Sequence, residues 1–187
     1  MKRLKAKEIL AESFKELASQ KPVEKITIRE IAENCGYSSA TFYRQFNDKY
    51  DLIAWDYSEQ VRNNVGKVGK DGYTWKQAFL KSASYSLEQK EYLLNLFKHT
   101  SGRYSFEQYM TDVNLSFIKE YMKRQHYETD ETMDMLFRVY CYGTIKITID
   151  CLLGKFQVSS SELAEIYELS VPEKLKNMCH EWYKVKK

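Results

Sequence analysis

The chain has 187 residues, 43% of them hydrophobic and 29% charged, a composition that can bury a core and excludes a disordered chain. Its net charge of +3 lies wholly in residues 1–50, which hold ten Lys/Arg and seven Asp/Glu, while the rest holds nineteen of each. Two prolines, seven glycines and little strand-like alternation leave helical spacing as the dominant pattern, so the chain reads as all-α.

In chain order, a first helix is predicted over residues 2–19, with Ala6, Leu10, Phe14 and Leu17 on one stripe. Residues 20–25, with Pro22, form a connector. Thr27 and Glu30 have the spacing of a capping box and open a second helix, with Ile28 and Ile31 on one face. Gly36 stands where that helix must stop and turn, and Ser38 can cap a third. Phe42 and Phe46 share the inward face of the third helix, so Ala40, Thr41, Tyr43 and Arg44 point outward. A short helix anchored by two phenylalanines and presenting hydrogen-bond donors outward suits a DNA major groove.

A long fourth helix begins at Asn47-Asp48 and carries Leu52, Ile53, Trp55 and Tyr57. Residues 66–72 read as a glycine-rich loop. Thr74 and Gln77 form another capping box and open a helix to about residue 87. Shorter helices follow at 91–99 and, after a break at Gly102, a longer one at 104–124. Thr129-Asp130 caps an apolar helix to residue 153, which Gly154 ends. Ser160/Ser161 would cap a helix over 162–168. Ser170 with Glu173, and Pro172 in the first turn, would open a last helix to residue 185.

The residues from 26 to 52 resemble the TetR family of bacterial transcription regulators. The resemblance rests on Thr27, Ile31-Ala32, Cys35-Gly36, Tyr37, Ser38, Ser39-Ala40, Thr41-Phe42-Tyr43, Arg44-Gln45, Phe46 and Lys49-Tyr50-Asp51-Leu52, in order and at the family's spacing. It implies that Thr27 and Arg29 meet the DNA backbone or groove edge and that Ser38 lies at the same surface. It implies that Ser39 and Ala40 face bases, and that Thr41, Tyr43, Arg44 and Gln45 touch phosphates or base edges. Lys49 would reach a phosphate at the start of the fourth helix. Ser39 stands where the family often has lysine, Ala40 where it often has glycine, and Gln45 where it often has histidine. Gln45 is also able to pair with adenine.

Farther on, Asp71-Gly72-Tyr73-Thr74-Trp75, Tyr92-Leu93-Leu94-Asn95-Leu96-Phe97, Tyr140-Cys141-Tyr142-Gly143 and Leu152-Leu153-Gly154-Lys155-Phe156 are similar to the C-terminal region of the family's DhaS-like branch. The tryptophan usual near position 151 or 152 is replaced by Cys151 and Leu152. That branch is associated with regulation of dihydroxyacetone kinase, which implies a protein co-activator as an alternative to a directly bound small molecule.

Aromatic residues are abundant, with 15 Tyr, 9 Phe and 3 Trp. Tyr73, Trp75, Tyr85, Tyr92, Phe97, Tyr104 and Tyr140 are candidates for an effector pocket, against the plainer reading that they are core. Arg138, Lys146 and Asp150 interrupt the most apolar stretch, 133–153. They argue against a membrane span and for a buried or subunit-facing helix. Lys146 and Asp150 have the spacing of an exposed i,i+4 pair.

Cys35, Cys141, Cys151 and Cys179 are far apart, with no CxxC and no zinc-finger histidine spacing. They read as reduced thiols of a cytoplasmic protein, with no metal site expected. The N-terminal residues show no signal-peptide core. No nucleophile elbow, phosphate loop or HExxH occurs, and the three histidines lie far apart, so neither an enzyme nor a cofactor is expected.

The expected organisation is a DNA-binding domain at 1–47 and a helical regulatory and dimerisation domain at 48–187. The fourth helix would join them. The expected partners are a double-stranded operator and a second copy of the chain, packed through the helices at 129–153 and 171–183. In the last of these, Met178 and Trp182 form an apolar stripe.

Overall fold

The computed structural model describes residues 5–178. Among them every regular element is helical: α1 Ala6–Ala18, α2 Ile28–Asn34, α3 Ser39–Tyr43, α4 Lys49–Arg62, α5 Trp75–Glu88, α6 Lys90–His99, α7 Phe106–Arg124, α8 Glu131–Leu152, α9 Ser160–Leu169 and α10 Glu173–Met178. Short 3-10 turns lie at Val23–Lys25, Val65–Lys67 and Gly102–Tyr104. The all-α expectation holds. The predicted continuation of the last helix to residue 185, with Trp182 and the Met178 side chain, lies outside the described residues.

The chain divides into two compact units, 1–59 with 91–109 and 60–90 with 110–187. The first therefore takes in more than the 1–47 stretch drawn from the sequence, adding the start of α4, all but the first residue of α6, and the start of α7. Its core contains Leu10, Phe14, Ile26, Ile31, Phe42, Leu52, Leu93 and Leu96, each at most 1% exposed. Polar ties fasten α6 to the connector: the Asn95 side chain accepts from the Val23 amide at 3.1 Å and donates to the Ala18 and Lys21 carbonyls. Lys15 of α1 meets Asp56 of α4 at 2.8 Å. Burial lifts the Asp56 carboxyl above its ordinary value, while Lys15 pulls the other way. Desolvation of both charges offsets much of the attraction in an ion pair this sheltered.

In the second unit α5 packs most extensively on α9. Trp75, Phe79, Tyr121, Met122, Phe137, Leu163 and Tyr167 form its centre. Asn64, 4% exposed, donates to the Ala78 carbonyl and to Ser82 Oγ, and accepts from the Tyr73 hydroxyl at 2.7 Å. The buried stripe of α8 runs Met133, Phe137, Cys141, Ile145 and Ile149, a spacing of four that keeps one face inward.

Local chemistry corrects several expectations. α9 is capped by Ser159, which exchanges capping-box bonds with Glu162, so Ser160 and Ser161 lie inside the helix. Ser170 ends α9, its hydroxyl donating to the Ile166 carbonyl at 2.7 Å, and forms no box with Glu173. Asp150 pairs with Lys155 at 2.8 Å rather than with Lys146. Arg138 pairs with Asp134 at 2.9 Å, a tie within one turn on an exposed edge.

Candidate nucleic-acid interface

The reader is assembled by caps and turns that act over three or four residues. Thr27 Oγ1 accepts from the Glu30 amide at 3.2 Å, and Glu30 Oε2 accepts from the Thr27 amide at 2.9 Å. Glu30 also takes a charged hydrogen bond from Lys21. That bond, with those from the Thr27 amide and hydroxyl, holds the Glu30 carboxyl down at about 2.

α2 ends in a Schellman motif. Gly36 sits at φ +74° and donates to the Glu33 carbonyl at 3.1 Å, while Tyr37 donates to the Ala32 carbonyl at 2.8 Å. Ser38 Oγ then accepts from the Thr41 amide at 3.3 Å and opens α3. From α1, Ser13 donates to the Ile31 carbonyl at 2.7 Å, and Asn34 donates back to Ser13 and to Glu16. These bonds fix the angle between α1 and α2.

Phe42 is fully buried and Phe46 2% exposed, with ring centroids 5.7 Å apart. Phe46 in turn lies 5.7 Å from Trp55 of α4. This anchoring turns the other side of α3 outward. Thr27, Arg29, Ser38, Ala40, Tyr43 and Arg44 are exposed, and Ser39, Thr41 and Gln45 are partly so. Tyr43 keeps 59% of its surface in solvent. Arg29 hydrogen-bonds Glu33 at 2.7 Å, which raises the Arg29 pKa, and Arg44 makes no ion pair among the described residues. Eight of the nine residues are polar, two of them arginines, and all lie on α2, α3 or the residues at their ends.

Lys49 has a different occupation from the expected phosphate contact. Its ammonium donates to the Val23, Glu24 and Ile26 carbonyls at 2.8, 3.1 and 3.0 Å. An ammonium has three donors, and each has a carbonyl here. Partial burial lowers its pKa against the pull of Glu24 and Asp48. Lys49 thus pins the start of α4 to the turn that leads into α2. Sequence reasoning missed this clamp and the Asn95 ties, because their partners lie 23–77 residues away.

The seven aromatic candidates for an effector pocket are divided between the two units. Tyr92, Phe97 and Tyr104 belong to the first unit and the other four to the second. Trp75 is core, 5.2 Å from Tyr121 and 5.6 Å from Phe79. Tyr73 bonds Asn64, Tyr92 packs edge-on to Phe14, Phe97 packs on Phe106, and Tyr140 donates to the Tyr167 carbonyl at 3.0 Å. Tyr85 is half-buried on α5. Tyr104 is on the lining of a cavity of about 330 Å³ in the first unit. Trp75 and Tyr92 are buried, while Tyr73, Tyr85, Phe97 and Tyr140 are half-buried.

Residues 10–54 match the family described as bacterial regulatory proteins, tetR family. Residues 73–171 match the family described as transcriptional regulator C-terminal region. The fold is similar to that of the dihydroxyacetone kinase operon activator DhaS, with a TM-score of 0.65 and 19% identity over 92% of this chain and 95% of that one. It is similar to a TetR transcriptional regulator from Rhodococcus sp. RHA1, with a TM-score of 0.61 and 16% identity over 91% and 94%. It is also similar to the TetR family repressor AlkX from Dietzia sp. strain DQ12-45-1b, implicated in biodegradation of n-alkanes, with a TM-score of 0.52 and 14% identity over 94% and 98%. No curated protein matches the chain in sequence.

Proposed function

The chain belongs to the TetR family of bacterial regulatory proteins, and from that premise we propose that it acts as a homodimer on a near-palindromic operator under the control of a small-molecule effector. Residues 1–47 would read the DNA, and the body from residue 48 onward would regulate and dimerise. The observation that carries this reading is the exposed polar surface of α2 and α3 held on a rigid Phe42–Phe46–Trp55 support.

In the proposed complex Ser39 and Ala40 face base edges. Thr27, Arg29, Ser38, Thr41, Tyr43, Arg44 and Gln45 contact phosphates or adjoining edges. Phosphate contacts set position and base contacts set sequence, so the two sets have separable effects. Lys49 holds the turn before α2 in place and is left out of the phosphate contacts.

The support for dimerisation is on α8 and α9. Met135, Val139 and Tyr142 expose 55, 68 and 48% of their surface, on the side of α8 away from its buried stripe. On α9, Ile166 and Leu169 expose 44 and 64%. A helix apolar on two sides needs two covers, and a second copy supplies the outer one. The dimer contact is therefore proposed for α8 with α9. An effector would act by favouring one spacing of the two readers over another.

A second reading has a protein co-activator as the controlling partner. It is favoured by the likeness to the operon activator DhaS and by the packing of Trp75 in the second unit's core with Tyr73 and Tyr140 against it.

Selection of bound duplexes from a random pool tests the proposal. The expected product is a near-palindrome with half-site centres about 34–36 Å apart, one helical turn. Selection with no enrichment, or of single unpaired half-sites, would overturn it.

A further inference from the structure

The cavity of about 330 Å³ is lined entirely by residues of the first unit, from the start of α4, the turn after α6 and the start of α7. We propose that this cleft binds a small organic monocation, an amine carried on an apolar body. The site stands without the DNA-binding reading; only a role as effector site rests on that reading.

The lining sets the ligand's chemistry. Ile53, Ala54 and Phe106 give it apolar surface. Tyr50 and Tyr104 stack on each other at 4.4 Å with 15° between planes, with Lys49 over the first ring at 5.6 Å and Arg103 over the second at 4.7 Å, and both rings belong to the lining. Such surface accepts a hydrocarbon body.

The charged groups on the lining are Asp48, Asp51 and Arg103. Asp48 uses Oδ1 to accept from the Tyr50 and Asp51 amides, each at 2.8 Å. Asp51 uses Oδ2 to accept from Asn47, at 2.9 Å from the amide and 3.1 Å from the side chain. Asp48 Oδ2 and Asp51 Oδ1 take no hydrogen bond among the described residues. Arg103 rests over the Tyr104 ring at 4.7 Å and pairs with neither carboxylate. Two negative charges against one positive leave a deficit of one, which a monocation fills. An ammonium bound there has two free carboxylate oxygens to donate to, and charge-assisted bonds are the strong ones. A volume of about 330 Å³ is at the small end of ligand pockets, about 300–1,000 Å³.

Phenethylamine is the probe, with 2-phenylethanol as its neutral analogue and 3-phenylpropionate as its anionic one. Each is titrated calorimetrically into the full chain without DNA. The expected result is saturable one-site binding of phenethylamine, with the alcohol at least about tenfold weaker and the acid not bound. Asp48→Asn and Asp51→Asn keep an oxygen acceptor for their cap bonds and should weaken phenethylamine about tenfold. Arg103→Gln removes the opposing charge and should tighten it, so one variant is read by a gain that misfolding cannot produce. Equal binding of amine and alcohol, absence of saturation, or the same affinity in Arg103→Gln as in the parent chain would overturn the site. The same chain is then tested on the selected duplex. Calorimetric binding with unchanged DNA affinity rejects the effector role and leaves the site, whereas failure to bind any duplex rejects the DNA-binding reading and leaves the calorimetry intact.

Discussion

At the residue scale, the informative contrast is between Tyr43 and Lys49, two side chains with the same expected role. Tyr43 is 59% exposed and supports little of the core. Tyr43→Ala should leave thermal stability within about 0.5 kcal/mol. It should weaken binding to the selected operator and to a random duplex together, since a phosphate contact carries no base information. Gel shifts on both duplexes measure this, and a loss confined to the operator would move Tyr43 to base readout. Lys49→Met removes a donor from three carbonyls at once. It should cost about 1–3 kcal/mol of stability, as expected for charge-assisted bonds. DNA affinity should fall with the log K against log salt slope unchanged, because the effect is one of position. A slope flatter by about one unit would restore Lys49 to the phosphate contacts.

At the scale of elements, the start of α2 depends on pH through Glu30. Its folded carboxyl titrates at about 2, below the unfolded value of 4.5. A carboxylate depressed in the folded state contributes stability that is full above the unfolded value and is lost as pH falls through the folded one. The sensitive window therefore runs from about 4.5 down to about 2. Glu30→Gln keeps a capping oxygen but does not titrate. Across that window its melting temperature should fall less steeply than that of the parent chain. Melts at several pH values between these limits decide it, and parallel curves would show that Glu30 carries no such term.

Elements were legible in the sequence where their signals are local. Thr27 with Glu30, Gly36, Ser38 and Thr74 with Gln77 all act within four residues, and the structure has each in its expected place. The third helix was legible from Ser38 and Phe42 for the same reason, although it ends at Tyr43 and Phe46 anchors the turn after it. Ser159 was overlooked beside two other serines, and only the backbone shows which of three neighbours has the extended conformation of a cap. Lys49 stands at a helix start, where its charge opposes the dipole. Its carbonyl partners lie on another segment, and no spacing rule reaches them. Composition likewise says nothing of which rings meet each other, as Trp75 meets Tyr121 and Phe97 meets Phe106.

At the scale of the whole molecule, the apolar outer face of α8 is the testable feature. Val139 is 68% exposed, so Val139→Glu in a lone chain puts a charge in water at little cost. In the proposed dimer the same change buries an unpaired charge on each side of the contact. Light scattering at micromolar concentration should show the parent chain at twice its 22.2 kDa mass. Val139→Glu, with Met135→Glu as a second variant, should lie near a single mass and no longer shift the selected duplex. A variant that remains dimeric would move the contact away from this face of α8.

The Asn95 ties have a consequence for any attempt to transplant the reader into another protein. Because α6 supplies the partners of the Val23 amide and of the Ala18 and Lys21 carbonyls, the compact unit around α1–α3 is written in two separated stretches of the chain. A graft of residues 1–59 alone arrives with those three backbone groups stripped of their partners and with Leu10, Phe14 and Ile26 lacking Leu93 and Leu96 in their shared core. A chimera that also carries residues 91–109 brings both with it. Amide hydrogen exchange should tell the two grafts apart at Val23, slow in the two-part chimera as in the parent chain and fast in the one-part graft.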